Sequence, residues 1–324
     1  MDQVKFGSGL TATIVAMLIG TSAFAQNAAK SILVLHPKGE SFDDAKKGIQ
    51  ETLGPTYAVK DFEFDKESGV GDLVKVWKGS LPKIVVAMDN KGILLAKDAR
   101  DNLHDSTVPL VGLMGVRVDA SLKNVRNVVG INYEIPAVTT LVNLRAILPK
   151  PIKKAGVIYR ESMEDLFLRN AEFCKQEGIE LVGIKVPDAS DPKESLDKAL
   201  KDLIGRADVD ALWVLNDNFF LNAKLIVGSW QPGLSDWKHP VIVGIETLVK
   251  PAFKFGTFAV LPDNYALGAQ AAGLVQEIDD AGWKVEEWKV DQPLSVVKTL
   301  NKPGTKKCCG IEESKLGEVD KVLE

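Results

Sequence analysis

Pro149-Lys150-Pro151-Ile152-Lys153-Lys154-Ala155-Gly156-Val157-Ile158-Tyr159 is the stretch whose reading decides the fold. A helical pattern over residues 135–148 ends at Pro149 and Pro151. Proline lacks the backbone N–H and pushes the residue before it out of helical geometry. Residues 155–159 then form a short apolar run of strand length. From that run a strand and helix alternation begins anew. The break is the expected hinge between two similar halves.

Before the break, apolar runs predict strands over residues 31–36, 57–64, 83–88, 109–114 and 127–133. Amphipathic stretches predict helices over 41–53, 69–79 and 91–103, with Ser41 and Asp44 in a capping arrangement. After residue 159 a helix is predicted over 163–177, closed by Gly178. A strand over 180–186 and a helix over 192–205 follow. Asp191 suits the N-cap of that helix, Pro192 its first position and Glu194 its third. Strands over 211–215, 241–245 and 257–261, a helix through 219–229 and a helix over 265–281 closed by Gly282 complete the series. The tail reads as a short strand near 294–297 and a last helix near 312–323. Ile84-Val85-Val86-Ala87 and Val241-Ile242-Val243 are nearly continuous apolar runs. Such runs fit strands covered on both faces, so the class is α/β with parallel sheets.

The amino terminus carries a different message. Lys5 precedes an apolar run over residues 10–20, and Ala23-Phe24-Ala25 is a small-x-small site before Gln26. This is the plan of a cleaved secretory signal peptide over residues 1–25. The run is too short for a membrane span, which needs about 20 apolar residues. No cysteine follows it, so no lipid anchor is expected. The chain of 324 residues is 45% hydrophobic and 26% charged, with a formal net charge of -4. That is ordinary globular composition, long enough for two lobes. Mild acidity without a basic block argues against a nucleic-acid partner. The three cysteines form no disulfide framework. Cys174 falls in a helical pattern and is expected in the core. Cys308-Cys309 reads as two incidental thiols, with a vicinal disulfide as the alternative. His36, His104 and His239 have no metal-ligand spacing, so no metal and no cofactor is expected.

No phosphate loop, nucleophile elbow, zinc-protease motif or Cys-x-x-Cys is present, which argues against an enzyme. What stands out is polarity at strand ends. In open α/β sheets, ligands bind outside the carboxyl ends of the strands. The candidates are His36, Asp89-Asn90, residues 115–119 including Arg117, Arg160-Glu161, Asn216-Asp217-Asn218 and Glu246-Thr247. Each alone suits a cap as well as a contact. Lys91, Arg117 and Arg160 could pair with a ligand carboxylate, or close the lobes in salt bridges with Glu161 or Glu246.

A family resemblance rests on several motifs in order. His36-Pro37 with Gly48-Ile49 opens the chain. Val118-Asp119, Asn127-Val128-Val129-Gly130 and Leu148-Pro149 end the first half. Ala155-Gly156-Val157-Ile158-Tyr159 begins the second. Val209-Asp210-Ala211-Leu212-Trp213-Val214-Leu215-Asn216-Asp217-Asn218, Asp263-Asn264-Tyr265-Ala266-Leu267-Gly268 and Thr299-Leu300-Asn301 follow. The set resembles the periplasmic substrate-binding proteins of ABC transporters, in the branch related to tryptophan- and tyrosine-type binding components. The resemblance implies a type I periplasmic-binding-protein fold. Its two Rossmann-like lobes would span 31–149 plus 263–290, and 151–262 plus 291–324. It implies a periplasmic monomer that closes on one small molecule and delivers it to an ABC permease. Carried over, Asp217 and Asn218 would touch the ligand, and the Asp89-Asn90 turn would hold it from the first lobe. Met88-Asp89-Asn90-Lys91, Arg117, Arg160-Glu161 and Cys308-Cys309 depart from the family pattern. They shift the expected ligand from an aromatic amino acid toward a zwitterion or other small carboxylate. A periplasmic sensor docking on a membrane receptor would share the fold, and a secreted enzyme is the third reading.

Overall fold

The computed structural model describes residues 29–205 and 208–324. The segment read as a signal peptide lies outside the described residues. Lys30–Pro37 (β1), Glu40–Leu53 (α1), Tyr57–Phe64 (β2), Val70–Ser80 (α2), Ile84–Met88 (β3), Asp89–Leu103 (α3), Leu110–Leu113 (β4), Val118–Leu122 (α4) and Val128–Ile131 (β5) alternate through the first half. Ala137–Ile147 (α5), Lys154–Arg160 (β6), Glu164–Gln176 (α6), Glu180–Val186 (β7), Pro192–Ile204 (α7) and Ala211–Trp213 (β8) follow. Next come Ala223–Leu225 (α8), Gln231–Gly233 (α9), Val241–Val243 (β9), Glu246–Val249 (α10), Phe258–Pro262 (β10) and Asn264–Asp280 (α11). Val290–Asp291 (β11), Val296–Asn301 (β12), Lys302–Cys308 (α12) and Lys321–Leu323 (β13) end the chain.

Two sheets result. The first has the order β11-β5-β4-β3-β1-β2 and is parallel throughout. The second has the order β13-β12-β10-β9-β8-β6-β7, with one antiparallel pair, β10 with β12. Both are covered on two faces, which is why β3 and β4 are buried along their whole length. One face of the first sheet packs Ile32, Val34, Val86 and Val111 against Ala45 and Ile49 of α1 and Leu267, Ala271 and Val275 of α11. The other packs Leu33, Leu35, Val85 and Ala87 against α2, α3 and α4. The second sheet packs α5 and α6 on one face and α7 to α10 on the other.

Several local expectations meet the structure at the residue. The Asp191 carboxylate accepts from Glu194 N at 2.8 Å and caps α7. Gly178 and Gly282 adopt φ of 70° and 68° past the ends of α6 and α11, the left-handed turn that glycine makes at little cost. Cys174 is fully buried, and burial pushes its thiol up to about 11.

Other expectations change. Gly39, not Ser41, is the N-cap of α1, with no side-chain cap. The helix expected through 219–229 begins at Ala223 and runs through a π-helical turn, Ile226–Trp230, into α9. The last helix is a 3-10 turn, Glu313–Glu318, followed by β13. Cys308 and Cys309 are joined to each other. Most consequential is the crossing. α5 buries Ala137, Leu141, Leu144 and Ile147 with Val157, Trp213 and Phe258 of the second sheet. The chain therefore passes between sheets at residues 132–136, and Pro149–Pro151 is a connection within the second half. It returns at Pro262–Asp263 and crosses again between β11 and β12.

Candidate ligand site between the two sheets

The carboxyl ends of strands from both sheets converge on a cavity of about 210 Å³. Arg117 reaches it from the β4–α4 connection, Asp119 from the first turn of α4, and Asn132, Tyr133 and Glu134 from the crossing after β5. Trp213, Leu215 and Asn216 after β8, Ile242 and Gly244 of the β9 end, and Val260 to Pro262 supply the opposite wall. α6 adds Leu166, Arg169, Asn170 and Phe173. The wall is mostly apolar and aromatic with a few converging polar groups, the composition of a small-molecule site.

The polar groups are placed by a tightly specified turn. Met114 and Arg117 both have positive φ, 56° and 53°. Side chains disfavour that region, and such strain gathers at functional positions. Gly115 lies between them, where a Cβ would press within 3.3 Å of Asn90 N. Asn90 holds the turn from α3 in both directions: its Nδ2 donates to Val116 O and its Oδ1 accepts from Val116 N, each at 2.7 Å. Arg117 N donates to Glu134 Oε1 at 2.7 Å. The Arg117 side chain then runs across the cleft. Its Nη1 donates to Ser162 O at 3.1 Å and its Nη2 to Asp165 at 2.9 Å.

Two buried polar atoms on the cavity wall have no hydrogen-bond partner: Arg117 Nε and Asn216 Oδ1. Asn216 is held through its other amide atom, Nδ2, which donates to Gly244 O at 3.2 Å. Asn216 Oδ1 is thus an acceptor without a hydrogen-bond partner, and Arg117 Nε a donor that makes no hydrogen bond and lies 3.9 Å from Asp119 Oδ1. Unpaired buried polar atoms are rare because each one costs its desolvation.

Of the positions singled out from sequence, Arg117, Asp119 and Asn216 line this cavity. His36 is fully buried at the end of β1, where its Nδ1 lies 3.0 Å from Pro37 O and its Nε2 3.3 Å from Lys46 Nζ. Asp89 starts α3, and Asn90 clamps the Val116 turn. Asp217 takes both oxygens to Arg160, from Nε at 2.7 Å and Nη2 at 3.0 Å. Arg160 also bonds Asp188 and lies 4.9 Å over the Phe219 ring. Asn218 is exposed. Glu246 pairs with Lys321 at 3.2 Å and borders a neighbouring depression. Lys91 donates to the carbonyls of Asp65 and Lys66. Neither Arg117 nor Arg160 pairs with Glu161 or Glu246.

Asn132, Glu134 and Arg169 line the cavity without having been candidates. Asn132-Tyr133-Glu134 follows a strand end, the signal that found the others. Arg169 sits inside a helix and gives no local signal. Among the described residues no group of three or more His, Cys, Asp and Glu is placed to hold a metal ion. No helix among them is long and apolar enough to cross a membrane.

Burial pushes the Glu134 carboxyl above its ordinary value of 4.5, against the opposing hydrogen bond from Arg117 N. A carboxyl whose folded value is raised binds its proton more tightly in the native state. Its penalty is absent below the ordinary value and grows as pH rises through the raised one. Glu134→Gln keeps the amide oxygen that accepts from Arg117 N and removes the charge. The variant is expected to be more stable than the parent at pH 7, with the difference vanishing below pH 4.5. Urea unfolding across that range checks it; a constant difference would show that burial does not raise the Glu134 carboxyl.

No protein-family model matches the chain, and no curated protein sequence does. Solved structures do. A ligand-free, open substrate-binding protein with adhesive properties from Clostridium difficile superposes with a TM-score of 0.66 at 15% identity, covering 92% of this chain and 99% of that one. An ABC domain in complex with L-Trp from Streptococcus pneumonia gives 0.56 at 18% identity, over 91% of this chain and 100% of the other. An arabinose-binding protein from Geobacillus stearothermophilus gives 0.55 at 12% identity, over 86% and 99%. Sheet order, the three crossings and these superpositions agree: the chain has the two-sheet α/β fold of the type I periplasmic-binding proteins.

Proposed function

We propose that the chain is an exported solute-binding protein that captures one small molecule between its two sheets and hands it to an ABC permease. It works as a monomer and not as an enzyme. The observation that carries this reading is the cavity itself. It lies at the carboxyl ends of both sheets, and two of its lining residues, Arg117 and Asn216, each hold a buried polar atom that makes no hydrogen bond within the chain. An acceptor group such as a carboxylate suits Arg117, and an ammonium or hydroxyl suits Asn216 and Glu134. Trp213, Leu215 and Ile242 suit an apolar body. A zwitterion or other small carboxylate combines these features. Each sheet with its helices forms one lobe, and closure is a hinge motion about the crossings. Export follows from residues 1–25, with cleavage before Gln26. The fold similarity to solute-binding proteins supports the reading.

A thermal-shift panel of amino acids, small carboxylates, nucleosides and sugars tests it. A ligand at 100 times its Kd stabilises by about 2.7 kcal/mol. The expected result is stabilisation by one group of small carboxylates, bound one per chain and recovered unchanged. Turnover of the hit, or a flat response across the panel, would overturn the proposal.

A further inference from the structure

We propose that Arg117 and Asp119 on one side of the cleft, with Asp165 and Arg169 on the other, form a reciprocal charge latch that sets how often the cleft is closed. Arg117 Nη2 meets Asp165 Oδ2 at 2.9 Å, and Arg169 Nη2 meets Asp119 Oδ2 at 2.8 Å. Each side carries one cation and one anion, in opposite order. Asp165 and Arg169 are four residues apart on α6, so they share one face of that helix. Arg117 is the residue before α4 and Asp119, two further on, lies in its first turn. The two strips therefore pair residue for residue in one relative position of the sheets only.

The halves of the latch differ in stiffness. Arg117 and Asp119 are each 18% exposed; their backbone N–H groups donate to Glu134 and Asn132, and Asn90 holds the preceding Val116. Asp165 and Arg169 on α6 are 61% and 51% exposed, with Arg169 at the rim of the cavity. A fixed inner pair thus meets a solvated outer pair. Among the described residues these are the two ion pairs that run from the first sheet's side to the second's. Pairs of this exposure contribute little to folding and are screened by salt. A cleft closing about a hinge is a two-state equilibrium in which small differential contacts shift populations. The contacts exist in one state alone, so they act on closure and not on either half. Arg117 also lines the cavity, and its Nε makes no hydrogen bond and lies 3.9 Å from Asp119 Oδ1. Closing the latch and aiming that donor use one guanidinium.

The latch does not depend on which solute binds, and its test needs none. Small-angle scattering is measured on the full mature chain without added ligand, at low and at about 1 M salt, where the screening length falls to about 3 Å. The parent is expected to have the smaller radius of gyration at low salt and to expand at high salt. Asp119→Arg alone sets three cationic side chains together, and Arg169→Asp alone sets three anionic ones together. Each is expected to expand the particle at low salt. The combined Asp119→Arg and Arg169→Asp protein is expected to return to the parent's radius. Asp165→Ala with Arg169→Ala, on the exposed face of α6, serves as a variant whose folding is undisturbed, and it is expected to be expanded and insensitive to salt. Near-ultraviolet circular dichroism checks that each protein is folded. Single reversals that scatter like the parent, or a combined reversal as expanded as the singles, would overturn the latch while leaving solute binding intact.

Discussion

Gly268→Val is expected to lower stability by about 3 kcal/mol or more, the largest effect of any single change considered for this chain. α1 and α11 cross with their backbones in contact. A Cβ on Gly268 would overlap the carbonyl oxygen of Ala45, and one on Gly48 would overlap that of Tyr265. Neither obstacle is a flexible side chain, so the helices themselves must separate. Separation would unpack Ile49, Leu267 and Ala271 from the first sheet. Gly273 is the control within α11, because a Cβ there meets nothing within 4 Å. Gly273→Ala is expected to be neutral to stabilising, by up to about 1 kcal/mol, since alanine is the better helix former. Urea unfolding of the two variants should therefore move in opposite directions. A tolerated Gly268→Val would mean that α1 and α11 do not cross as described.

Asp217→Ala comes next, at about 1–3 kcal/mol. The carboxylate is 6% exposed and receives the planar fork of Arg160 on both oxygens. It also accepts from Phe219 N at 3.1 Å, which holds the turn after β8. Removing one partner of a fully buried pair costs about 3–5 kcal/mol because a charge is left desolvated. The Arg160 side chain is 26% exposed, so water compensates in part and the lower range applies. Asp188, on the solvent side of the same guanidinium, is 40% exposed, and Asp188→Ala is expected to cost less than about 1 kcal/mol. The loss should appear in the unfolding of the second half. If Asp217→Ala left unfolding unchanged and weakened solute binding instead, the Arg160 pairing would be wrong.

The comparison of those two residues shows what the chain reveals locally. The central strands could be read because β1, β3, β4, β6 and β9 are apolar runs bounded by turn residues, whereas β13 lies where a helix was expected. The cap of α7 could be read because Asp191-Pro192-x-Glu194 has one physical use. The five residues of α4, the two of β11 and the proline- and glycine-containing α12 are too short or too atypical to carry a period. α5 was recognisable as a helix, yet nothing in residues 137–147 tells which sheet it covers. That depends on Val157, Trp213 and Phe258, far along the chain. The crossing was therefore misplaced by one helix.

The site follows the same division. Strand-end polarity marked Arg117 and Asn216, which the cavity contains. It marked Asp217 with equal strength, although the chain turns at Asn216, where Asp217 N donates to Leu215 O at 2.9 Å. Asn216 faces the cavity while Asp217 faces Arg160. Local sequence gives the type of a polar side chain and its place at the rim. It does not give the partner that satisfies it. For Asp217 that partner is 57 residues away, and for Asn90 it is 26 away.

Titration calorimetry of the stabilising solute with the parent and with Asn216→Ala tests the central reading most directly. Asn216 Oδ1 is buried on the cavity wall and unpaired within the chain. A hydrogen bond made there by a bound solute is worth about 1–3 kcal/mol when the other partner is left desolvated. The expected result is one site per chain in both proteins, with affinity at least about fivefold weaker in Asn216→Ala and an unchanged circular dichroism spectrum. Equal affinity in the two proteins, with the solute still bound one per chain, would place it outside the cavity between the sheets.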